Sequence, residues 1–220
     1  MKRLLLALLL IASPLAARER AVSLPPPAFD PPPASRGERQ LVVAGGCFWG
    51  VQGVFQHVKG VTRAVSGYAG GAERTAHYDQ VSRGDTGHAE TVEITYDPAV
   101  VTLGELLRVF FSVAHDPTQM NRQGPDEGPQ YRSAVFVTDP EQEKVARAYL
   151  SQLASARSFG APIVTRLEPL ARFYPAEPYH QDYLIAHPSA PYIVYNDLPK
   201  IEDLRRAFPE LWRSDPVRTK

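Results

Sequence analysis

Residues 40–58 read QLVVAGGCFWGVQGVFQHV. The spacing of apolar residues changes inside this stretch, and that change decides the fold class. Residues 40–44 form a short, nearly continuous apolar run, the pattern of a buried strand. After Gly45 and Gly46, Val51, Val54, Phe55 and Val58 recur at helical spacing, which predicts a helix over 48–58 stopped by Gly60. A strand feeding a helix through a glycine pair predicts a mixed α/β chain. At the hand-over sits Cys47, the only cysteine among 220 residues.

Working outward, residues 61–68 read as a second strand before the Gly70-Gly71 turn. Residues 88–97 alternate: Glu90, Val92, Ile94 and Tyr96 share one face, and Ala89, Thr91, Glu93 and Thr95 the other, as in a strand with one buried side. Thr102-x-x-Glu105 is a capping box, and it opens a helix whose Leu103, Leu106, Leu107, Phe110 and Phe111 make an apolar stripe. Residues 115–130 are polar and turn-rich, so they form a loop. A strand follows at 133–138, then a helix started by Asp139-Pro140, a strand at 163–168 and a helix at 199–208. No repeat or linker interrupts 39–213. The expected architecture is one domain, an α+β two-layer α/β sandwich of the ferredoxin-like kind with long ordered loops.

The two ends read differently. Lys2 and Arg3, the apolar run 4–12 and the small residues 13–17 have the layout of a secretory signal peptide over 1–17. The apolar run is shorter than the roughly 20 residues a membrane span requires. The expected location is therefore outside the cytoplasm, periplasmic or secreted, with no stable membrane insertion. Residues 18–38, with PPPAFDPPP at 25–33, favour polyproline II and read as a leader or tether. Residues 214–220 form a tail. Lys plus Arg and Asp plus Glu each total 24, so no basic footprint for nucleic acid exists. The six histidines lack metal-ligand spacing, and no metal site is expected.

A single cysteine in an exported chain is either a reactive thiol or a buried structural one, and composition leaves the two even. Its position at a helix N-terminus favours thiolate, because the macrodipole and free backbone N–H groups lower a thiol pKa. Gly45 and Gly46 leave room for a substrate to approach. Phe48 and Trp49 fit the core or the wall of an apolar slot, with the core ahead on local evidence. Glu90 shares the apolar face of its strand. It is either a buried carboxyl with a raised pKa, suited to general acid work, or a strand-end residue turned to solvent. Tyr78, Asp126 and Tyr131 lie in polar loops and have no distinguishing local signal.

Taken together, GGCFWG (45–50), GYAGG (67–71), GDTGHAE (84–90), HDPTQMNRQGPDEGPQYRS (115–133) and FYPAEPYHQDYL (173–184) closely resemble the peptide methionine sulfoxide reductase A family. The resemblance runs from about residue 40 to about residue 208. It implies reduction of the S epimer of methionine sulfoxide, free or in oxidised proteins, for protein repair. It implies that Cys47 attacks the sulfoxide sulfur and becomes a sulfenic acid, and that Glu90 protonates the departing oxygen. Tyr78 and Tyr131 would hydrogen-bond that oxygen, Phe48 and Trp49 would grip the substrate methyl, and Asp126 would support the site. No cofactor is implied beyond an external thiol reductant of thioredoxin, glutaredoxin or glutathione type. The chain is expected to act as a monomer.

Four positions depart from the family pattern. Residues 194–220 lack the resolving cysteines that many members carry, so Cys47 sulfenic acid must meet an external thiol. Gln52 stands where Glu is usual, Ala76-His77 replaces Pro-Thr, and Pro178 stands where Asp is common. Three competing readings are a cysteine hydrolase, a non-catalytic peptide-binding module and a one-cysteine thiol peroxidase. Loss of methionine release in Cys47→Ser separates the reductase from the first two. Peroxide turnover faster than sulfoxide reduction would mark the third.

Overall fold

The computed structural model describes residues 21–31 and 37–219; the segment read as a signal peptide lies outside them. In chain order the strands are β1 (Arg39–Gly45), β2 (Val61–Ala69), β3 (Ala89–Tyr96), β4 (Arg122–Gln123), β5 (Asp126–Glu127), β6 (Ser133–Val137), β7 (Arg166–Pro169) and β8 (Phe173–Pro175). The helices are α1 (Phe48–Gln56), α2 (Tyr78–Val81), α3 (Leu103–Val109), α4 (Pro140–Ser155), α5 (Tyr183–Ala186) and α6 (Leu198–Ala207). α3 runs on into a wider turn over Phe110–Ala114, and a similar turn, Ile193–Asp197, leads into α6.

The main sheet has the order β7-β6-β1-β3-β2-β8. Its pairs are antiparallel except β6 with β7. β3 lies between β1 and β2, and α1 connects those two, which gives a split β-α-β unit. β3, α3 and β6 supply the second unit, so the inner order is ferredoxin-like, as expected. Alternation along β1 and β3 divides the core. Leu41, Val43, Val92, Ile94 and Tyr96 pack with the helices in the larger cluster, while Val42, Ala44 and Ala89 join a smaller one on the opposite face.

The sequence signals map closely onto the elements. Thr102 and Glu105 form the reciprocal capping box: the Glu105 N–H donates to Thr102 Oγ1 at 3.2 Å and the Thr102 N–H to Glu105 Oε2 at 2.9 Å. Asp139 caps α4 through the Gln142 N–H at 2.8 Å. The predicted strand at 163–168 begins only at Arg166. β8 and the turn at Ile193–Asp197 carry no strong periodicity and were not anticipated.

The proline-rich leader departs from the expected tether over its described part. Leu24 is buried. Arg108 Nε and the Tyr149 hydroxyl donate to the Leu24 and Pro25 carbonyls at 2.8 and 2.9 Å. Asp30 accepts from the Gly104 N–H at 3.0 Å and from the Thr102 hydroxyl. Proline-dense chain offers carbonyls without the helix or ladder bonds that would use them, and side chains of α3 and α4 donate to them here.

The C-terminal tail is likewise laid down. The Val217 N–H donates to the Gln56 carbonyl at 2.9 Å, and the Thr219 N–H to Asp182 Oδ1 at 3.0 Å.

Candidate active site

Topology explains where the chemistry-bearing residues meet. β1 and β3 are paired at Val43 and Val92. Two residues further on, β1 ends at Gly45 and the chain turns into α1, while β3 at that level carries Glu90, opposite Tyr68 of β2. The first helical amide therefore faces the carboxyl: the Phe48 N–H donates to Glu90 Oε2 at 3.0 Å.

Glu90 is 2% exposed. Burial raises its pKa from the ordinary carboxylate range to about 8; the Phe48 N–H opposes this, and the negative charges of Asp126 and Asp197 add to it. Near neutrality Glu90 carries a proton. The solvent-facing alternative read from the sequence is excluded, and the buried acid holds.

Cys47 occupies the residue before the first turn of α1 (φ −54°, ψ 122°) and is partly accessible. The expected thiolate at rest does not hold. Burial pushes the thiol well up, Glu90 and Asp197 push it further, and the Trp49 N–H that donates to the sulfur does not compensate. A nine-residue helix offers a weak dipole against a desolvated site with three acidic neighbours. The resting group is a thiol. Alkylation by iodoacetamide is accordingly expected to be slow near neutral pH and to accelerate only at a more alkaline pH than for an ordinary thiol. Fast alkylation around pH 7 would contradict this.

The glycine pair also does something other than expected. A Cβ on Gly45 would lie 2.9 Å from the Phe110 ring and 3.0 Å from His115. On Gly46 (φ +89°) it would lie 2.6 Å from the Gln123 side chain. The two glycines admit the walls of the site, not the approaching substrate.

The aromatic residues form a connected set. Phe48 is buried, with its ring centroid 5.9 Å from Tyr68 and 5.0 Å from His180. It is core and site floor at once. Trp49 is half-buried and stacks on Tyr183 at 3.8 Å and 10°, with Tyr192 edge-on at 5.9 Å. Its indole N–H donates to His180 Nδ1 at 3.2 Å. Burial lowers the His180 pKa, so the ring is a neutral acceptor.

Tyr78 and Tyr131 converge on the same place. Burial raises both hydroxyl pKa values, and Glu90, Cys47 and Asp126 contribute to both. Each stays an O–H donor at any physiological pH. The N–H of Tyr78 donates to Glu177 Oε1 at 3.0 Å, and Glu177 Oε2 accepts from Tyr68 at 2.8 Å. Glu177 thereby fixes the Tyr78 loop to the sheet despite the altered Ala76-His77 approach. Asp126 accepts from the Tyr192 hydroxyl.

All seven residues singled out in the sequence thus meet in one region. Sequence reasoning missed His180, Tyr183, Tyr192, Glu177 and Asp197. The first, second and fourth lie inside the 173–184 block. Tyr192 and Asp197 had no local signal, because each is placed by a turn without apolar periodicity.

Among the described residues no cluster of His, Cys, Asp or Glu is arranged to hold a metal. No helix among them is long and apolar enough to cross a membrane.

The peptide methionine sulfoxide reductase family model matches residues 39–211, the whole span that builds this site. The chain belongs to that family. Peptide methionine sulfoxide reductase MsrA 2 of Mesorhizobium japonicum is 59% identical over 84% of this chain and 94% of its own length. MsrA 2 of Synechocystis is 51% identical over 84% and 88%. Among solved structures, Mxr1 of Saccharomyces cerevisiae in reduced form superposes with a TM-score of 0.64 at 33% identity, covering 74% of this chain and 92% of that one. Methionine sulfoxide reductase A of Corynebacterium diphtheriae gives 0.60 at 36% identity, covering 71% and 78%. As a peptide methionine sulfoxide reductase, this chain is a peptide-methionine (S)-S-oxide reductase, an oxidoreductase acting on sulfur that repairs oxidised methionine.

Proposed function

We propose that Cys47 is the nucleophile and Glu90 the acid of this reductase, and that a thiol from outside the chain completes each turnover. The carrying observation is the Phe48 N–H bonded to a protonated, buried Glu90 at 3.0 Å, one residue from the only thiol. Sulfoxide sulfur is a poor electrophile until its oxygen gains a proton. Glu90 supplies that proton while Cys47 sulfur attacks, and the hydroxyls of Tyr78 and Tyr131 hydrogen-bond the same oxygen.

The balance is simple when Cys47 starts as a thiol. Cys47–SH and the sulfoxide give Cys47–SOH and the thioether, with no net proton exchange. Glu90 lends a proton to oxygen and recovers the one that sulfur gives up. The Trp49 indole, held by Tyr183, Tyr192 and His180, supports the wall against which the substrate methyl packs. Asp126, through Tyr192, steadies that wall.

With one cysteine in the chain, the sulfenic acid has no internal thiol to capture it. A first external thiol forms a mixed disulfide and releases water, and a second restores Cys47. Thioredoxin, glutaredoxin and glutathione types all fit that chemistry. The oxidised substrate is free or protein-bound methionine S-sulfoxide, and the working form is a monomer. Export is part of the proposal and is supported by the charged, apolar and small-residue layout of residues 1–17.

The test is a single turnover without reductant on each sulfoxide epimer. One methionine per enzyme is expected from the S epimer and none from the R epimer. Mass spectrometry should find one added oxygen on Cys47 and no internal disulfide. Continued turnover without any added thiol would overturn the scheme.

A further inference from the structure

We propose that Met120 is an oxidation site of this enzyme, and that its S-sulfoxide is reduced by Cys47 of a second copy of the chain. The inference rests on the reductase reading above and extends its substrates to the enzyme itself.

The chain has two methionines, and the other is Met1. Met120 is 56% exposed, unusual for an apolar side chain of its size, and lies in a turn outside regular structure. Its thioether is open to oxidants of the hydroperoxide class. Such an oxidant transfers one oxygen atom to sulfur and leaves as the alcohol or as water, giving both sulfoxide epimers.

The loop that carries Met120 also builds the site. Three residues on, Gln123 packs against Gly46, and beyond it Asp126 and Tyr131 enter the cluster around Cys47. Three residues span at most about 11 Å, so Met120 lies within that reach of Gln123, which walls the site at Gly46.

That loop is held on both sides of Met120. Asp116 Oδ1 accepts from the Thr118 N–H at 2.9 Å, and Gln119 Oε1 from the Gly124 N–H at 2.9 Å. The Asn121 carbonyl accepts from the Gly128 N–H at 2.9 Å, and Asn121 itself is in the left-handed region at φ 50°. Met120 lies between these anchored residues with its side chain exposed, so its sulfur is offered to another molecule.

The receiving surface suits the apolar Met120 side chain, which stands out from an otherwise polar loop. Tyr179, adjoining His180, is 60% exposed, and Val194 and Tyr195, on the turn that carries Tyr192, are 42% and 75% exposed. A rim of this kind lets one copy's turn settle beside the other's Trp49. In the reaction, oxygen passes from Met120 sulfur of one copy to Cys47 sulfur of the other, and two external thiols then remove it as water.

The test uses the full chain. Cys47→Ser protein is treated with hydrogen peroxide, cleared of oxidant, and given catalytic wild-type enzyme with dithiothreitol. Peptide mass spectrometry should show one oxygen gained at Met120, with about half removed by wild type and none by dithiothreitol alone, since one enzyme serves one epimer. As a check independent of that variant's folding, oxidised isotope-labelled wild type is mixed with unlabelled wild type. Its repair rate should double when the unlabelled enzyme doubles.

Absence of oxygen at Met120 overturns the proposal. So does oxygen that persists while the same wild type reduces N-acetylmethionine S-sulfoxide, and so does repair at a rate independent of concentration. Failure on the small sulfoxide as well would instead remove the reductase reading on which the proposal stands.

Discussion

Glu90→Gln is expected to slow sulfoxide reduction near neutral pH by about 10²- to 10⁴-fold, the usual worth of a positioned general acid. The same substitution should make the protein more stable. The two effects have one cause. Glu90 is buried with its pKa raised to about 8, against about 4.3 for an unfolded glutamate.

Between those values the folded state holds a proton that the unfolded state has released. Stability therefore falls as pH rises through that window, and it levels off above about pH 8. Near pH 7 the accumulated loss is on the order of 3 kcal/mol. Glutamine retains an oxygen for the Phe48 N–H and has no charge to desolvate, so the variant should lack this slope. Melts at about pH 5, 7 and 8.5 read the stability, and steady-state kinetics read the rate. Wild-type rate should also fall above about pH 8 as the acid is lost. An unchanged rate, or an identical stability slope in variant and wild type, would remove Glu90 from the role assigned to it.

Why Glu90 was legible in the sequence and Tyr192 was not is a matter of period. In a strand, parity tells which face a residue takes, and β3 alternates cleanly enough to set Glu90 beside Val92 and Ile94 on the buried side. The Thr102–Glu105 box and the Asp139-Pro140 start were legible for a similar reason: each is a local hydrogen-bond rule written in adjacent residues. Tyr192, Tyr183 and His180 come to the site through α5 and the turns around it. Those pieces are too short to show a period, and they are placed by contacts with α1, more than 100 residues earlier in the chain.

The state of Cys47 departs from the sequence expectation for a related reason. Helix position is local, whereas desolvation and the charges of Glu90 and Asp197 are tertiary. The proline leader shows the reverse case. Its proline content favours an extended chain, yet nothing in its own sequence says that Arg108, Tyr149 and Gln152 wait for its carbonyls.

Gln52→Glu, the change toward the more usual residue of the family, is expected to destabilise this chain by about 2–4 kcal/mol near neutral pH. Gln52 is 1% exposed. Its amide nitrogen shares two hydrogens among the Ala64 carbonyl at 3.0 Å, Gln181 Oε1 at 3.0 Å and the Thr219 hydroxyl at 3.2 Å. A carboxylate donates to none of them.

Gln181 is not free to turn its amide around. Its oxygen already accepts from the Ser66 N–H at 3.0 Å, and its nitrogen donates to the Ser66 carbonyl at 2.9 Å. The new charge would also lie near Asp182, which accepts from Gln56 Nε2 at 2.6 Å and from Thr219. Protonation relieves part of the clash, so the deficit should shrink toward about pH 5 and grow as pH rises.

The damage should reach the site by a stated route. Gln52 Oε1 accepts the Asp182 N–H at 3.0 Å and holds Asp182 in the left-handed region at φ 57°, where α5 begins. The next residue, Tyr183, stacks on Trp49 at 3.8 Å. Loosening that start should raise KM for the sulfoxide more than it lowers kcat, because Glu90 and Cys47 sit elsewhere. Denaturant unfolding at two pH values and a KM-against-kcat comparison measure both consequences. Wild-type stability near pH 8 in the variant would mean that the hydrogen bonds donated by the Gln52 amide contribute little.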